Sequence, residues 1–189
     1  MQTRSVLLPV KSFARAKARL AGVLDEAARA DLARTMAERV VAAAGDLPVV
    51  VACDDVEVRT WAQALGLGVA WVPGTDLNGA VAAAVAASSY DRVVVAHADL
   101  PRARSLAPVA EVDDGVVLVP DRHDDGTNVL AVPRLAGFEF AYGPGSFRRH
   151  LAEAERLGLP VTVLRPDDLT WDVDVPDDLA AAHPRTPCG

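Results

Sequence analysis

Two glycine-containing turns carry side chains that can hold a small phosphorylated acid. The first is the polar loop from Arg122 to Asn128, whose Thr127 and Asn128 lead directly into an apolar run. The second is the Gly-Pro-Gly turn from Gly143 to Ser146, ahead of a predicted helix. Such turns offer bare backbone N–H groups to an anion, and the two hydroxyls and the guanidinium add further donors. Each turn alone is equally typical of an ordinary loop, but both in one chain favour a nucleotide-using transferase.

A cluster of cations follows the first predicted strand within nine residues. Lys11, Lys17 and Arg19 come just after the apolar run that starts the chain, and this placement favours a cradle for a triphosphate. The Gly-x4-Gly-Lys pattern of a Walker loop is absent. The alternative is the solvated start of an amphipathic helix.

Two groups of carboxylates that come after predicted strands are candidates for a metal site. Asp99 comes just after the run that ends at Ala96, where α/β nucleotidyl enzymes hold a divalent metal. Asp172 and Asp174 alternate in an extended segment, so they face the same side and repel unless a cation lies between them. These spacings predict Mg²⁺ on Asp99 and on at least one of the pair. A solvated acidic loop or a helix N-cap is the alternative for the pair, and His97 is expected to be packed rather than a ligand.

A glycine-containing loop after the third predicted strand leads into another helix. Gly74, Asn78 and Gly79 would let a base or ribose approach the backbone there. The same loop offers Asp76 or Asn78 as a plain N-cap.

Composition narrows the class of protein. The chain has 189 residues, is 51% hydrophobic and carries a net charge of −7, so we expect a folded domain that does not bind nucleic acid. Aromatic residues are only 5%, which gives no stacking platform for single strands. Two cysteines at no ligand spacing fit a reducing cytoplasm, and no segment has the length of a signal or membrane span. A homo-oligomer is compatible with the sequence.

The hydrophobic periods alternate between strand and helix. The predicted strands are Arg4–Val10, Val49–Ala52, Gly68–Val72, Arg92–Ala96, Val116–Val119, Val129–Val132 and Val161–Leu164. The predicted helices are Asp25–Ala44, Val56–Leu65, Asn78–Ala87, Ser105–Glu111, Ser146–Leu157 and Pro176–Ala182. We therefore expect one α/β domain over residues 1–183, a three-layer sandwich with a mostly parallel sheet, and a frayed tail over 184–189.

Eight motifs in order resemble the guanylyltransferases of deazaflavin coenzyme F420 biosynthesis. They are Val10-Lys11, Ala16–Leu20, Leu77-Asn78, His97–Pro101, Asp121–His123, Gly126–Asn128, Tyr142–Phe147 with His150, and Asp172–Pro176. The resemblance runs over almost the whole chain, and Val175, where Thr is more usual, is a mild departure.

The resemblance implies a nucleotide-diphospho-sugar transferase-like fold, GTP as donor and Mg²⁺ on Asp99 and the Asp172/Asp174 pair. It places a phosphorylated acid on Thr127, Gly143 and Ser146. Family members differ between phosphoenolpyruvate, 2-phospho-L-lactate and 3-phosphoglycerate, and an Ala-, Val- and Arg-rich composition typical of GC-rich genomes favours phosphoenolpyruvate. The product would pass to a downstream transferase of the pathway.

Three functions remain open on the sequence. The first is GMP transfer to a phosphoacid, with Lys17, Asp99 and Asp174 in the catalytic centre. The second is a glycosyltransferase that uses Asp172 and Asp174 as an Asp-x-Asp metal motif, and the third is an inactive nucleotide-binding regulatory module. Pyrophosphate release from GTP with candidate phosphoacids separates the three.

Overall fold

The fold is a central sheet with helices on both faces, seen in a computed structural model that describes residues 3–182. The strands are β1 (Arg4–Pro9), β2 (Val49–Cys53), β3 (Gly68–Trp71), β4 (Arg92–Ala96), β5 (Val116–Pro120), β6 (Thr127–Pro133) and β7 (Val161–Val163). The helices are α1 (Glu26–Ala43), α2 (Val56–Ala64), α3 (Leu77–Ala86), α4 (Ala107–Ala110), α5 (Ser146–Arg156) and α6 (Pro176–Ala182). The predicted tail, residues 184–189, lies outside the described residues.

The sheet follows the order β3-β2-β1-β4-β6-β5-β7. Strand β6 runs antiparallel to both β4 and β5, and the other neighbouring pairs are parallel. The prediction of a mostly parallel sheet is confirmed. Its antiparallel member arises because β5 and β6 are joined by a loop of only six residues, too short for a parallel crossover.

Acidic caps fix where the early helices begin. Asp25 accepts the N–H of Ala28 at the start of α1, and Asp55 accepts the N–H groups of Glu57 and Val58 at the start of α2. Each cap satisfies N–H groups that have no partner within the helix, a contribution of about 1 kcal/mol.

Two apolar layers hold the helices against the sheet. Alternate residues of β1 enter opposite layers: Leu8 lies in the same apolar cluster as Val40 of α1, and Leu7 lies in the same cluster as Val81 of α3. The first layer also takes in α2 and α4, and the second takes in α5. The three-layer sandwich is therefore confirmed.

The carboxyl ends of β1, β2 and β4 meet at one edge of the sheet, because these strands are parallel. Strand β6 starts at this same edge, since its antiparallel register pairs Val129 with Ala96 at the end of β4. The backbone N–H of His97 extends this contact by donating to the Asn128 carbonyl at 2.9 Å. The topology thus brings the cation loop, the Asp99 loop and the Thr127 loop together. Among residues 3–182, no helix combines the length and apolar character needed to cross a membrane.

Candidate active site

Lys17 is the centre of the charged site. Its Nζ lies 2.6 Å from Oδ2 of Asp99 and 3.2 Å from Oδ1 of Asp174. The backbone at Lys17 has φ 54°, a left-handed conformation that is uncommon outside glycine, and it starts a 3-10 turn at Ala18–Leu20. In this conformation the Lys17 side chain is only 10% exposed. The lysine thus joins the loop after β1 to the two acidic segments.

The buried charges hold one another in their ionised forms. Burial would lower the pKa of Lys17, but the Asp99 and Asp174 carboxylates outweigh it and raise that pKa above its usual value. Burial would likewise raise the pKa of Asp99, but the Lys17 ammonium holds it below the usual range. The pair is therefore ionised at neutral pH, an ammonium against a carboxylate.

Asp172 lies in a different environment from Asp99. Burial first, and then the negative charges of Asp99 and Asp174, raise the pKa of Asp172 to about 6. One cation offsets this partly: Nη1 of Arg122 lies 3.3 Å from Asp172 Oδ1. The carboxyl group therefore has an incompletely neutralised charge, which a further cation would relieve.

Asp178 and Trp171 hold the acidic segment in place. Asp178 Oδ1 lies 2.5 Å from Arg122, and its Oδ2 accepts the N–H groups of Asp174 and Val175 at 2.7 and 2.8 Å. The guanidinium of Arg122 lies 4.4 Å from the centre of the Trp171 ring. Arg122, predicted to bind substrate, is thus committed to the carboxylates in this structure.

Oxygen donors suited to Mg²⁺ lie in this region without forming a tight ligand cluster. The part of the chain that the structure describes contains no group of three or more His, Cys, Asp or Glu side chains arranged to hold a metal ion. The Lys17 ammonium lies between Asp99 and Asp174 instead. Oδ1 of Asp99 is nevertheless buried without a hydrogen-bond partner among the described residues. Carboxylate oxygens of this kind fit the oxygen preference of Mg²⁺.

A cavity of about 260 Å³ opens between the loop after β1 and the end of β4. Its polar wall includes Lys11, Lys17 and Asp99, and its apolar wall includes Phe13 and Met36. Lys11 points to the other end of the loop from Lys17, because its Nζ donates to the Thr75 carbonyl and lies 3.3 Å from Asp54. Lys11 and Lys17 of the cavity lining therefore contact different acidic segments.

The other residues predicted to bind the nucleotide are Gly74, Asn78, Gly79 and Arg19. Three of them, Asn78, Gly79 and Arg19, already form polar contacts within the protein. Gly74 has φ 73°, as a glycine turn requires. Asn78 ties the start of α3 to the second turn, since its Oδ1 accepts the Tyr142 N–H at 2.6 Å. The N–H of Gly79 donates to Asp76, which caps α3, so the N-cap alternative holds for Asp76. Arg19 is 74% exposed and lies 3.6 Å from Asp174.

Thr127, Ser146 and His150 form a buried hydroxyl cluster. Oγ1 of Thr127 lies 3.0 Å from Nδ1 of His150 and 3.4 Å from the Ser146 hydroxyl. Nε2 of His150 accepts the Ala141 N–H at 3.0 Å, so this nitrogen is unprotonated. Burial lowers the pKa of His150 to about 4, so the neutral ring carries its proton on Nδ1 and donates to Thr127.

The hydroxyl hydrogens of Thr127 and Ser146 are not both used within this cluster. Because His150 donates to Thr127, only one hydrogen bond joins the two hydroxyls, and they share two hydrogens. One hydroxyl hydrogen is therefore left for a third acceptor. Gly145, not Ser146, is the N-cap of α5, so the Ser146 hydroxyl does not cap that helix. Asn128 beside this cluster donates from Nδ2 to the Leu169 carbonyl at 3.0 Å.

The expectation of bare N–H groups in the turn after Gly143 is wrong for three of them. The Gly145 N–H donates to the Asp125 carboxylate at 3.0 Å, and the Phe147 N–H donates to the Asp125 carbonyl. The Ser146 N–H donates back to Gly143. The polar loop folds onto the start of α5, so an Asp from the first turn occupies the anion position of the second.

Three further residues of the site were not predicted. The capping-box spacing from Val175 to Asp178 could have indicated Asp178. No sequence signal indicates that Trp171 packs against Arg122, or that Asp54 pairs with Lys11, because both contacts depend on tertiary structure. His97, expected to be packed, does pack on the Tyr142 ring at a centroid distance of 5.0 Å, and burial lowers the pKa of its imidazole.

Comparisons with known proteins show the family to which the chain belongs. The family described as "Guanylyl transferase CofC like" matches residues 4–182. A phosphoenolpyruvate guanylyltransferase of Roseiflexus castenholzii is 37% identical over 179 residues, which cover 92% of this chain and 84% of that protein. One of Sphaerobacter thermophilus is 33% identical over 198 residues, which cover 99% of this chain and 96% of that protein.

A solved structure from Desulfovibrio desulfuricans G20, described as a nucleotide-diphospho-sugar transferase, shares the fold. It superposes with a TM-score of 0.76 at 19% identity, over 95% of this chain and 85% of that chain. The predicted fold class is confirmed. The matching family defines an enzyme of the nucleotidyltransferase class. The chain belongs to the guanylyl transferase CofC-like family.

Proposed function

We propose that the protein transfers GMP from GTP to the phosphate of phosphoenolpyruvate. The observation that carries the proposal is the meeting of the two halves of the site at one edge of the sheet. The Lys17–Asp99 pair lines a cavity of about 260 Å³. Thr127 is the first residue of β6, the strand paired with β4, and the Ser146 hydroxyl at the start of α5 lies 3.4 Å from the Thr127 hydroxyl. The acceptor identity is supported by the two relatives, both of them phosphoenolpyruvate guanylyltransferases.

The chemistry needs no nucleophilic side chain. A phosphate oxygen of the acceptor attacks the α-phosphorus of GTP, a new P–O bond forms, and the bond to the β-phosphate oxygen breaks. Pyrophosphate leaves, and enolpyruvoyl-2-diphospho-5'-guanosine results. No general base is required, because the attacking phosphate is already an anion. Positioning and charge stabilisation account for the catalysis of such a transfer.

Two cations of the first loop, Lys17 and Arg19, bind the donor phosphates in this proposal. Lys17 neutralises charge at the α-phosphate, while Arg19, exposed at the rim, meets the departing pyrophosphate. Lys11, Gly74, Asn78 and Gly79 bind the nucleoside end. Lys17 would have to exchange part of its contact with Asp99 and Asp174 for phosphate oxygens when GTP enters.

The acceptor binds at the hydroxyl cluster. The spare hydroxyl hydrogen of Thr127 and Ser146 goes to the phosphate or the carboxylate of the phosphoacid, and Gly143 contributes backbone with no side chain in the way. Asn128 holds the loop to Leu169, and Arg122 adds positive charge beside Asp172. Asp125 must release the Gly145 N–H if that group is to bind the acceptor.

Mg²⁺ is the metal we assign to Asp99, Asp172 and Asp174. When bound, the ion would supply charge neutralisation on the phosphate oxygens that attack and leave. The residues suit it because Asp99 Oδ1 is unpartnered among the described residues and Asp172 has a raised pKa. We also place the enzyme in the cytoplasm and its product on the path to coenzyme F420 through a downstream transferase.

The test is pyrophosphate release from GTP and Mg²⁺ with three acceptors: phosphoenolpyruvate, 2-phospho-L-lactate and 3-phosphoglycerate. We expect the highest kcat/KM with phosphoenolpyruvate. A higher kcat/KM with either of the other two acids would change the proposed acceptor but not the proposed reaction. Sugar transfer from a nucleotide sugar, with no pyrophosphate from GTP under any condition, would overturn the proposal in favour of a glycosyltransferase.

A further inference from the structure

A second cavity adjoins the nucleotide cavity and ends at Asp54. It measures about 30 Å³ and shares Lys11 and Leu77 with the larger cavity. Its other walls are the end of β2 and the apolar side chains Val72 and Ala80. Apolar side chains and the Asp54 carboxylate therefore line the same small space beside the larger cavity.

Asp54 differs from the neighbouring Asp55 in what it does for the fold. Asp55 caps α2, because its Oδ1 accepts two backbone N–H groups. Asp54 makes no such bond: its Oδ2 lies 3.3 Å from Lys11 Nζ, and its Oδ1 is buried without a partner among the described residues. A buried carboxylate oxygen without a donor is costly, so an unused one lining a cavity points to a ligand that donates.

We propose that Asp54 selects guanine over the other bases, a proposal that rests on GTP being the nucleotide substrate. Guanine presents N1–H and the 2-amino group as neighbouring donors on one edge, and the two oxygens of a carboxylate accept both. The O6 acceptor beside them faces Lys11, which already lies next to Asp54. Adenine presents the N1 lone pair at the same place and has no 2-amino group, so it leaves the carboxylate unpaired.

The apolar walls strengthen this discrimination. Cys53 is buried, and the partly buried Val72 and Leu77 add apolar surface to the cavity, so these two side chains offer the carboxylate no donor in place of those that a wrong base lacks. A site built around buried hydrogen-bonding groups rejects an analogue that leaves them unpaired by factors of up to about 10⁴. Lys11 acts on the base edge in this proposal, whereas Lys17 acts on the phosphates.

The test exchanges the carboxylate for an amide and guanine for xanthine. Xanthosine triphosphate (XTP) carries a carbonyl oxygen in place of the 2-amino group, so an amide NH₂ suits it where a carboxylate repels it. We expect Asp54→Asn to bind GTP about a hundredfold more weakly than wild type and to bind XTP more tightly than wild type. Asp55→Asn, the matched control on the same loop, keeps the wild-type ratio. Titration calorimetry without acceptor measures both affinities.

A GTP-to-XTP affinity ratio in Asp54→Asn equal to that of wild type would overturn the proposal. The wild-type protein supplies a second measurement that needs no variant: inosine triphosphate, which lacks the 2-amino group, should bind at least about tenfold more weakly than GTP. Equal binding of the two would also overturn it. A protein with the expected base preference that releases no pyrophosphate with any phosphoacid would contradict the proposed function alone.

Discussion

His150 makes the stability of the protein depend on pH through a single buried ring. Its Nε2 accepts the Ala141 N–H, and its Nδ1 donates to Thr127. Protonation would set a second N–H against the Ala141 N–H, in a site that is 0% exposed. Burial, and then the charge of Arg149, lower the pKa of His150 from 6.5 to about 4.

The direction and the size of the pH effect on stability follow from this pKa shift. As the pH falls, the unfolded chain binds a proton near pH 6.5, whereas the folded protein does so only near pH 4. Stability is therefore lost through this window. Proton linkage gives a loss of about 2 kcal/mol in the free energy of unfolding between pH 7 and pH 5 from this group alone.

The assay compares urea unfolding at pH 7 and pH 5 for wild type and His150→Asn. The Asn amide keeps a donor near the Nδ1 position but does not titrate, so the variant should lose about 2 kcal/mol less than wild type over this range. His123→Asn, at an exposed loop position, controls for removal of a histidine. Equal pH-dependent losses in wild type and His150→Asn would refute the interpretation of His150 as a buried neutral acceptor.

Three further substitutions test the site. Asp99→Asn should lower kcat by about 10², roughly 3 kcal/mol, with the fold intact by circular dichroism; near-wild-type turnover at saturating Mg²⁺ would contradict its metal role. Lys17→Ala should raise the KM for GTP about tenfold to a hundredfold and the acceptor KM much less, since it removes a charged donor; an unchanged GTP titration would leave Lys17 as a structural partner of Asp99. Ser146→Ala should weaken acceptor binding by about 1–3 kcal/mol with little change in melting temperature, because Gly145 is the cap; a lower melting temperature with an unaltered acceptor KM would show a structural hydroxyl.

Strand and helix placement could be predicted because it depends on local pattern. The apolar run Val49–Cys53 and the capped helix after Asp25 carry their signals within a few residues. Parallel strands end at one edge, so the approach of Asp99 to the cations after β1 followed from topology. The location of the site at this edge of the sheet could therefore be predicted from the sequence.

The pairing of charges within the site could not be predicted. Lys11 and Lys17 belong to one loop, yet the first contacts Asp54 and the second Asp99. This division depends on the left-handed backbone at Lys17, a conformation that no glycine signals. Likewise Arg122 reaches Asp178 across 56 residues, and such a contact has no local signature.

The proposed reaction forms a bond between two phosphates, and phosphorus NMR observes this bond directly. The full-length protein is incubated with GTP, phosphoenolpyruvate and Mg²⁺, and the spectrum is followed over time. We expect two mutually coupled phosphorus resonances from an unsymmetrical diphosphate diester. One pyrophosphate should be released for each molecule of this product. GDP with inorganic phosphate, or a spectrum that stays that of the substrates with each of the three phosphoacids, would contradict it.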